Sequence, residues 1–101
     1  MTNSRLFQKY VSENRAFAID WTNALSNANN GAADTLATSV WQEDTGITVV
    51  TSSTSGNVTR VRLSGGTGGN TYRIENTVTL TTSGYTRMEY IQVKVNFDPV
   101  P

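Results

Sequence analysis

The sequence predicts an all-β fold, and three observations predict it. Thr59, Val61 and Leu63 share one parity, with Arg60 and Arg62 between them. Tyr72, Ile74, Asn76, Val78 and Leu80 do the same, separated by Arg73, Glu75, Thr77 and Thr79. Side chains alternate faces along a strand, so each segment reads as a strand with one face buried. Between them lies Ser64-Gly65-Gly66-Thr67-Gly68-Gly69-Asn70, whose glycines permit the positive φ angles of a tight connection, so the two strands close as a hairpin. The composition is the third observation: 37% hydrophobic residues and abundant Ser, Thr, Asn and Gly suit a thin sandwich with wet outer faces.

Each element follows in turn. In residues 1–15, Leu6, Phe7, Tyr10 and Val11 lie roughly one helical turn apart, which reads as a short amphipathic helix, an arm ordered on a partner, or a frayed terminus. A first strand spans residues 16–21, with Phe17, Ile19 and Trp21 on one parity. Residues 22–33, rich in Asn, Ala and Ser, read as a loop. Strands follow at 36–41 and 47–51, separated by the turn Glu43-Asp44-Thr45-Gly46. A polar turn over 52–57 leads into the hairpin strands 58–63 and 71–81. Ser83-Gly84 turns the chain again, and the last strand spans 87–97, with Ile91, Val93, Val95 and Phe97 inward. Asp98-Pro99-Val100-Pro101 ends it, because Pro cannot continue a ladder. Strands with such regular turn signals predict an antiparallel immunoglobulin-like β-sandwich of six to seven strands. Its division is an arm over 1–15, a sandwich over 16–98 and a tail over 99–101. Tyr72, near the start of a long strand after a Gly-rich turn, is placed as a tyrosine corner or as an ordinary cross-strand aromatic. Trp21 and Trp41 read as core anchors.

Composition also excludes. A chain of 101 residues is one domain with one modest core. Eight basic residues balance eight acidic ones and neither sign forms a run, so no nucleic-acid partner is expected. With no Cys there is no disulfide framework, and with neither Cys nor His a zinc or copper site would need carboxylates alone; no cofactor is expected. No apolar run is long enough for a signal peptide or a membrane span, so the expected place of synthesis and assembly is a cytosol, without a membrane partner.

The motifs that spell chemistry lack the context it needs. Asp44-Thr45-Gly46 matches the half-site of a dimeric aspartic protease, in which two carboxylates share a proton across an axis. That chemistry needs an apolar strand before the Asp, and Gln42-Glu43 stand there instead, so the reading is a β-turn. Leu63-Ser64-Gly65-Gly66 spells a transporter-ATPase signature, but a phosphate cradle needs a helix after its glycines, and a strand follows. Asn57-Val58-Thr59 is a glycosylation sequon by spelling only. Ser and Thr have no His to activate them, so no catalytic residue is named and no enzyme is expected. Exposed Tyr85, Tyr90 or Trp41 could stack on sugars, which keeps a carbohydrate-binding module as the alternative.

Four segments remain: Phe17-Ala18-Ile19-Asp20-Trp21-Thr22, Asp34-Thr35-Leu36-Ala37-Thr38-Ser39-Val40-Trp41, Thr45-Gly46-Ile47-Thr48-Val49, and Leu63 through Tyr72 with Asn76. In their order and spacing they resemble a family of small tailed-bacteriophage virion proteins with an immunoglobulin-like sandwich, of the fibre–tail adaptor or accessory head protein type. The resemblance implies a non-enzymatic structural protein of the virion. It would be present in several symmetry-related copies and dock on larger capsid, neck, tail or fibre subunits, as a fibre–tail adaptor or a head cement or decoration protein. Leu6, Phe7, Tyr10 and Val11 are then the expected docking residues, lying outside the sandwich and free to bury on a neighbour.

Overall fold

The computed structural model describes residues 5–98. Residues 1–4 of the expected arm and the whole expected tail, 99–101, lie outside the described residues. Seven strands and one short helix follow in order: β1 (Arg5–Tyr10), β2 (Arg15–Asp20), α1 (Thr22–Leu25), β3 (Leu36–Glu43), β4 (Ile47–Ser55), β5 (Val58–Gly65), β6 (Thr71–Leu80) and β7 (Thr86–Asn96). They form two sheets, β1-β7-β6-β3 and β2-β5-β4. Every pairing is antiparallel except β1 with β7, which is parallel. The two sheets thus form an all-β sandwich in which β5 is the central strand of one layer and β6 and β7 are the inner strands of the other. All-β, two-sheet architecture is what alternation predicts.

The core is the set of inward parities from both sheets. Phe17, Ile19 and Trp21 of the β2 segment, Val61 and Leu63 of β5, and Tyr72, Ile74, Val78 and Leu80 of β6 meet Ile91, Val93 and Val95 of β7, and all are buried. Inside this apolar layer runs one polar chain. Trp21 Nε1 donates to Thr59 Oγ1 at 3.1 Å and to Asn76 Oδ1 at 3.2 Å. Thr59 Oγ1 donates to Asn76 Oδ1 at 2.6 Å, and Asn76 Nδ2 donates to Ser39 Oγ at 2.8 Å and Val40 O at 3.1 Å. The chain ties both sheets together through side chains whose polar atoms all find partners, the condition under which a buried polar group is tolerated.

The fold departs from the sequence reading at six places. β5 and β6, expected to close as a hairpin, do not pair: β5 lies between β2 and β4 in one sheet and β6 between β7 and β3 in the other, so the Gly-rich turn carries the chain across from one layer to the other while both strands keep their apolar parity on the shared core. The N-terminal segment, expected as a helix or arm, is the edge strand β1, so residues 5–10 belong to the sandwich that was expected to begin at residue 16. The loop expected over 22–33 contains α1 and buries Leu25 and Ala28 against the core. The polar stretch expected as a turn over 52–57 continues β4 to Ser55, and only Gly56-Asn57 turn. Trp41 is half-buried against the core's flank, unlike the fully covered Trp21. Phe97, expected inward, lies past the end of β7 and is 72% exposed.

Phe97 instead rests on the Gly-rich turn. A Cβ on Gly68 would stand 2.5 Å from its ring, and one on Gly66 would stand 2.7 Å from Val95 Cγ2. The glycines are therefore required as much for this close approach as for turning. Thr67 N donates to the Tyr72 hydroxyl at 2.8 Å, linking the start of β6 back to the preceding turn in the manner of a tyrosine corner.

Candidate docking faces

β1 decides which N-terminal residues are free. In its register, Phe7 stands beside Val93 and Lys9 beside Val95 on the inner face, while Leu6, Gln8 and Tyr10 stand beside Gln92, Lys94 and Asn96 on the outer face. Phe7 packs its ring 5.1 Å from that of Phe17, and Val11 packs against the core. Of the four residues expected to dock, Phe7 and Val11 are thus occupied within the domain, and Leu6 (61% exposed) and Tyr10 (43%) face outward.

Lys9 sits where alternation calls for an apolar residue. Its ammonium donates to Gly65 O and Tyr10 O, both at 2.7 Å, and more weakly to Val11 O at 3.4 Å. Burial pushes its pKa below the ordinary lysine value, opposed by the nearby Glu13 and Asp98 carboxylates. The Gly65 contact staples the edge strand of one sheet to the end of β5 in the other.

Asp34 is the second organising charge. Its carboxylate accepts from Thr82 N at 2.9 Å, Ser83 N at 3.0 Å and Thr35 N at 2.8 Å. These bonds, that from Thr82 foremost, hold its pKa well below the usual carboxylate range against the opposing pull of burial. It stays ionised and fixes the β6–β7 turn to the start of β3. Asp44, the residue of the protease-like motif, lies in the β3–β4 turn, where its carboxylate accepts from Arg73 N at 2.8 Å. Asp44 is thus a turn residue, as the sequence reading has it, and its carboxylate ties that turn to β6.

Two outer faces remain, and their chemistry differs. On the β1-β7-β6-β3 sheet, Met88, Thr77 and Val40 lie in one cross-strand row, with Tyr90, Glu75 and Gln42 in the next. With Leu6 at the edge, Leu6, Tyr90, Met88 and Val40 trace an apolar diagonal, and Val40 is 61% exposed. The Arg73 guanidinium lies 3.9 Å above the Tyr90 ring and pairs with Glu75 at 3.1 Å. On the β2-β5-β4 sheet, the outer side chains of the central strand β5 include Arg60 and Arg62. They are flanked by Ala16 and Ala18 of β2 and by Thr51 and Ser53 of β4. Sequence reading missed this face; two Arg at alternate positions beside partner strands of small residues is the signal that could have found it.

The aromatics considered for sugar stacking are not brought together. Trp41 is on the inward parity of β3, Tyr90 is covered by Arg73, and Tyr85 sits in the β6–β7 turn, where its hydroxyl bonds Asn30. No group of three or more metal-ligating side chains occurs among the described residues.

No curated protein matches the chain. Residues 9–94, from within β1 to within β7, match the model of a family described as podophage GP4 fiber-tail adaptor protein gp77. Since that span is most of the chain and takes in both sheets, the protein belongs to this family of small bacteriophage tail adaptors.

Proposed function

We propose that this protein is a non-enzymatic virion component that joins a fibre to the tail and is present in several symmetry-related copies. The family match carries the reading. The molecule supports it in form: it measures 53 × 23 × 22 Å, with an apolar diagonal crossing one outer face and an arginine pair on the other. An adaptor must hold two unlike partners at once, and two chemically distinct faces meet that need. The apolar diagonal of Leu6, Val40 and Met88 around Tyr90 is the face for one of them, since large exposed apolar side chains contribute most when a partner removes them from water.

The double substitution Leu6→Lys with Met88→Lys tests it. Both side chains are exposed, so the melting transition should stay within about 0.5 kcal/mol of the parent. Incorporation into particles, measured as copies per purified tail, should fall at least tenfold. Normal incorporation would remove this face from the interface. A protein found on no tail, or in hundreds of copies on heads, would remove the adaptor reading itself.

A further inference from the structure

The opposite face has two features that the adaptor reading does not use. The first is an open edge. Among the described residues β4 pairs only with β5; the Glu43 carboxylate accepts from Val49 N at 3.3 Å at the start of the strand, and the other edge is unpaired along residues 50–55. Edge strands are usually protected by charge or Pro. The edge strands β1, β2 and β3 each contain charged residues, whereas β4 reads Ile-Thr-Val-Val-Thr-Ser-Ser-Thr-Ser and has neither charge nor Pro. Its bulge between Val49 and Thr51 leaves Thr51–Ser55 regularly paired to β5.

The second feature is uncompensated charge beside that edge. Arg60 lies directly across from Ser53, and Arg62 from Thr51. Neither guanidinium pairs with a carboxylate among the described residues; Arg62 has only a 3.4 Å contact to Asn14 Oδ1. The two arginines, Thr51, Ser53 and Ala16 border a depression of about 120 Å³. The short side chains on β4 leave the guanidiniums room to lean outward toward the free edge.

Resting on the adaptor reading, we propose that β4 accepts an extended acidic segment of a partner protein as an added strand, with Glu side chains at alternate positions paired to Arg60 and Arg62. Main-chain hydrogen bonds to the open edge supply binding, and the arginine pair supplies choice of partner and register. An added strand lies roughly 9.5 Å from β5, twice the ordinary strand spacing. Glu and Arg span that gap over Ser53 and Thr51 by leaning toward each other. Side-chain period 2 matches one carboxylate to each arginine.

The test uses the intact protein and two fluorescent nonapeptides, one alternating Thr and Glu, the other alternating Thr and Lys, followed by anisotropy at low salt and by amide hydrogen exchange. The Glu peptide should bind and slow exchange at residues 50–55, and its affinity should fall with added salt. Arg60→Glu with Arg62→Glu should weaken it at least tenfold and transfer preference to the Lys peptide. A second variant, Thr51→Glu with Ser53→Glu, should weaken it similarly by supplying carboxylates from within; circular dichroism verifies that both variants fold. No binding, equal binding of both peptides, indifference to the arginine reversal, or protection at β1 or β3 would each overturn the proposal. If the parent joins tails while ignoring the Glu peptide, strand addition fails and the adaptor reading stands. If the parent joins no tail, that reading fails by itself.

Discussion

Removal of residues 1–12 should cost on the order of 5 kcal/mol, enough to unfold much of the population of a domain this small at 37 °C. The expectation follows from what β1 does. It covers Ile91–Asn96 of β7 along one edge, packs Phe7 on Phe17, and sends the Lys9 ammonium to Gly65 O. Truncation exposes the flank of Val93 and Val95 and strips Phe7 and Val11 from the core, each large apolar side chain worth up to roughly 1.5–3 kcal/mol. It also leaves the Gly65 carbonyl without the Lys9 donor. Urea titration of the truncated chain is the measurement. A midpoint near the parent's would show that β1 is a dispensable arm, as the sequence alone suggested, and that its pairing with β7 adds little.

The reason β1 was illegible is physical. A strand announces itself by apolar residues on one parity, and here Leu6 and Phe7 fall on opposite faces while the inward position between Phe7 and Val11 is Lys9. The lysine is accommodated because three carbonyls receive its ammonium, a tertiary arrangement invisible to periodicity. Where each strand's inward positions were filled by apolar or small polar residues, as in β2, β5, β6 and most of β7, alternation located the core down to single residues. At Phe97 alternation failed because the sheet ends at Asn96, and the Gly-rich turn that crosses between the two sheets offers a surface that exists only in the folded domain. The outward continuation of β4 was hidden by Ser and Thr, which are read as turn formers but also sit well on an exposed edge. The arginine face was missed for a related reason: attention to parity identifies what faces inward and passes over which outward charges lack a partner, and partners are set by strand order.

Asn76 illustrates the other side of that lesson, and substitutions there should have the largest effect of any single residue in the core. Its parity placed it inside, but only the fold shows that its amide meets Trp21, Thr59, Ser39 and Val40. Asn76→Leu keeps the branching at Cγ, adds bulk and removes all four contacts, leaving buried donors and acceptors of Trp21, β5 and β3 short of partners. At about 1–3 kcal/mol for each unsatisfied buried group, partly relieved by the surviving Trp21–Thr59 bond, the loss should be about 3–5 kcal/mol. Asn76→Asp separates hydrogen bonding from shape. At neutral pH its carboxylate would be a buried charge facing the Val40 carbonyl, so its folded-state pKa is raised above the unfolded value of about 3.9. A raised folded pKa means that the native state holds the proton longer. The variant's stability is therefore fully present below about pH 4 and lost as pH rises toward the folded pKa. Below that range the protonated carboxyl can donate to Val40 O and accept from Thr59. The gap between parent and Asn76→Asp should accordingly be small near pH 3.5 and widen to several kcal/mol at pH 7. Paired urea titrations at the two pH values decide it: a pH-independent gap would mean that the position is open to water, and that the polar chain joining the two sheets is not the sealed network described.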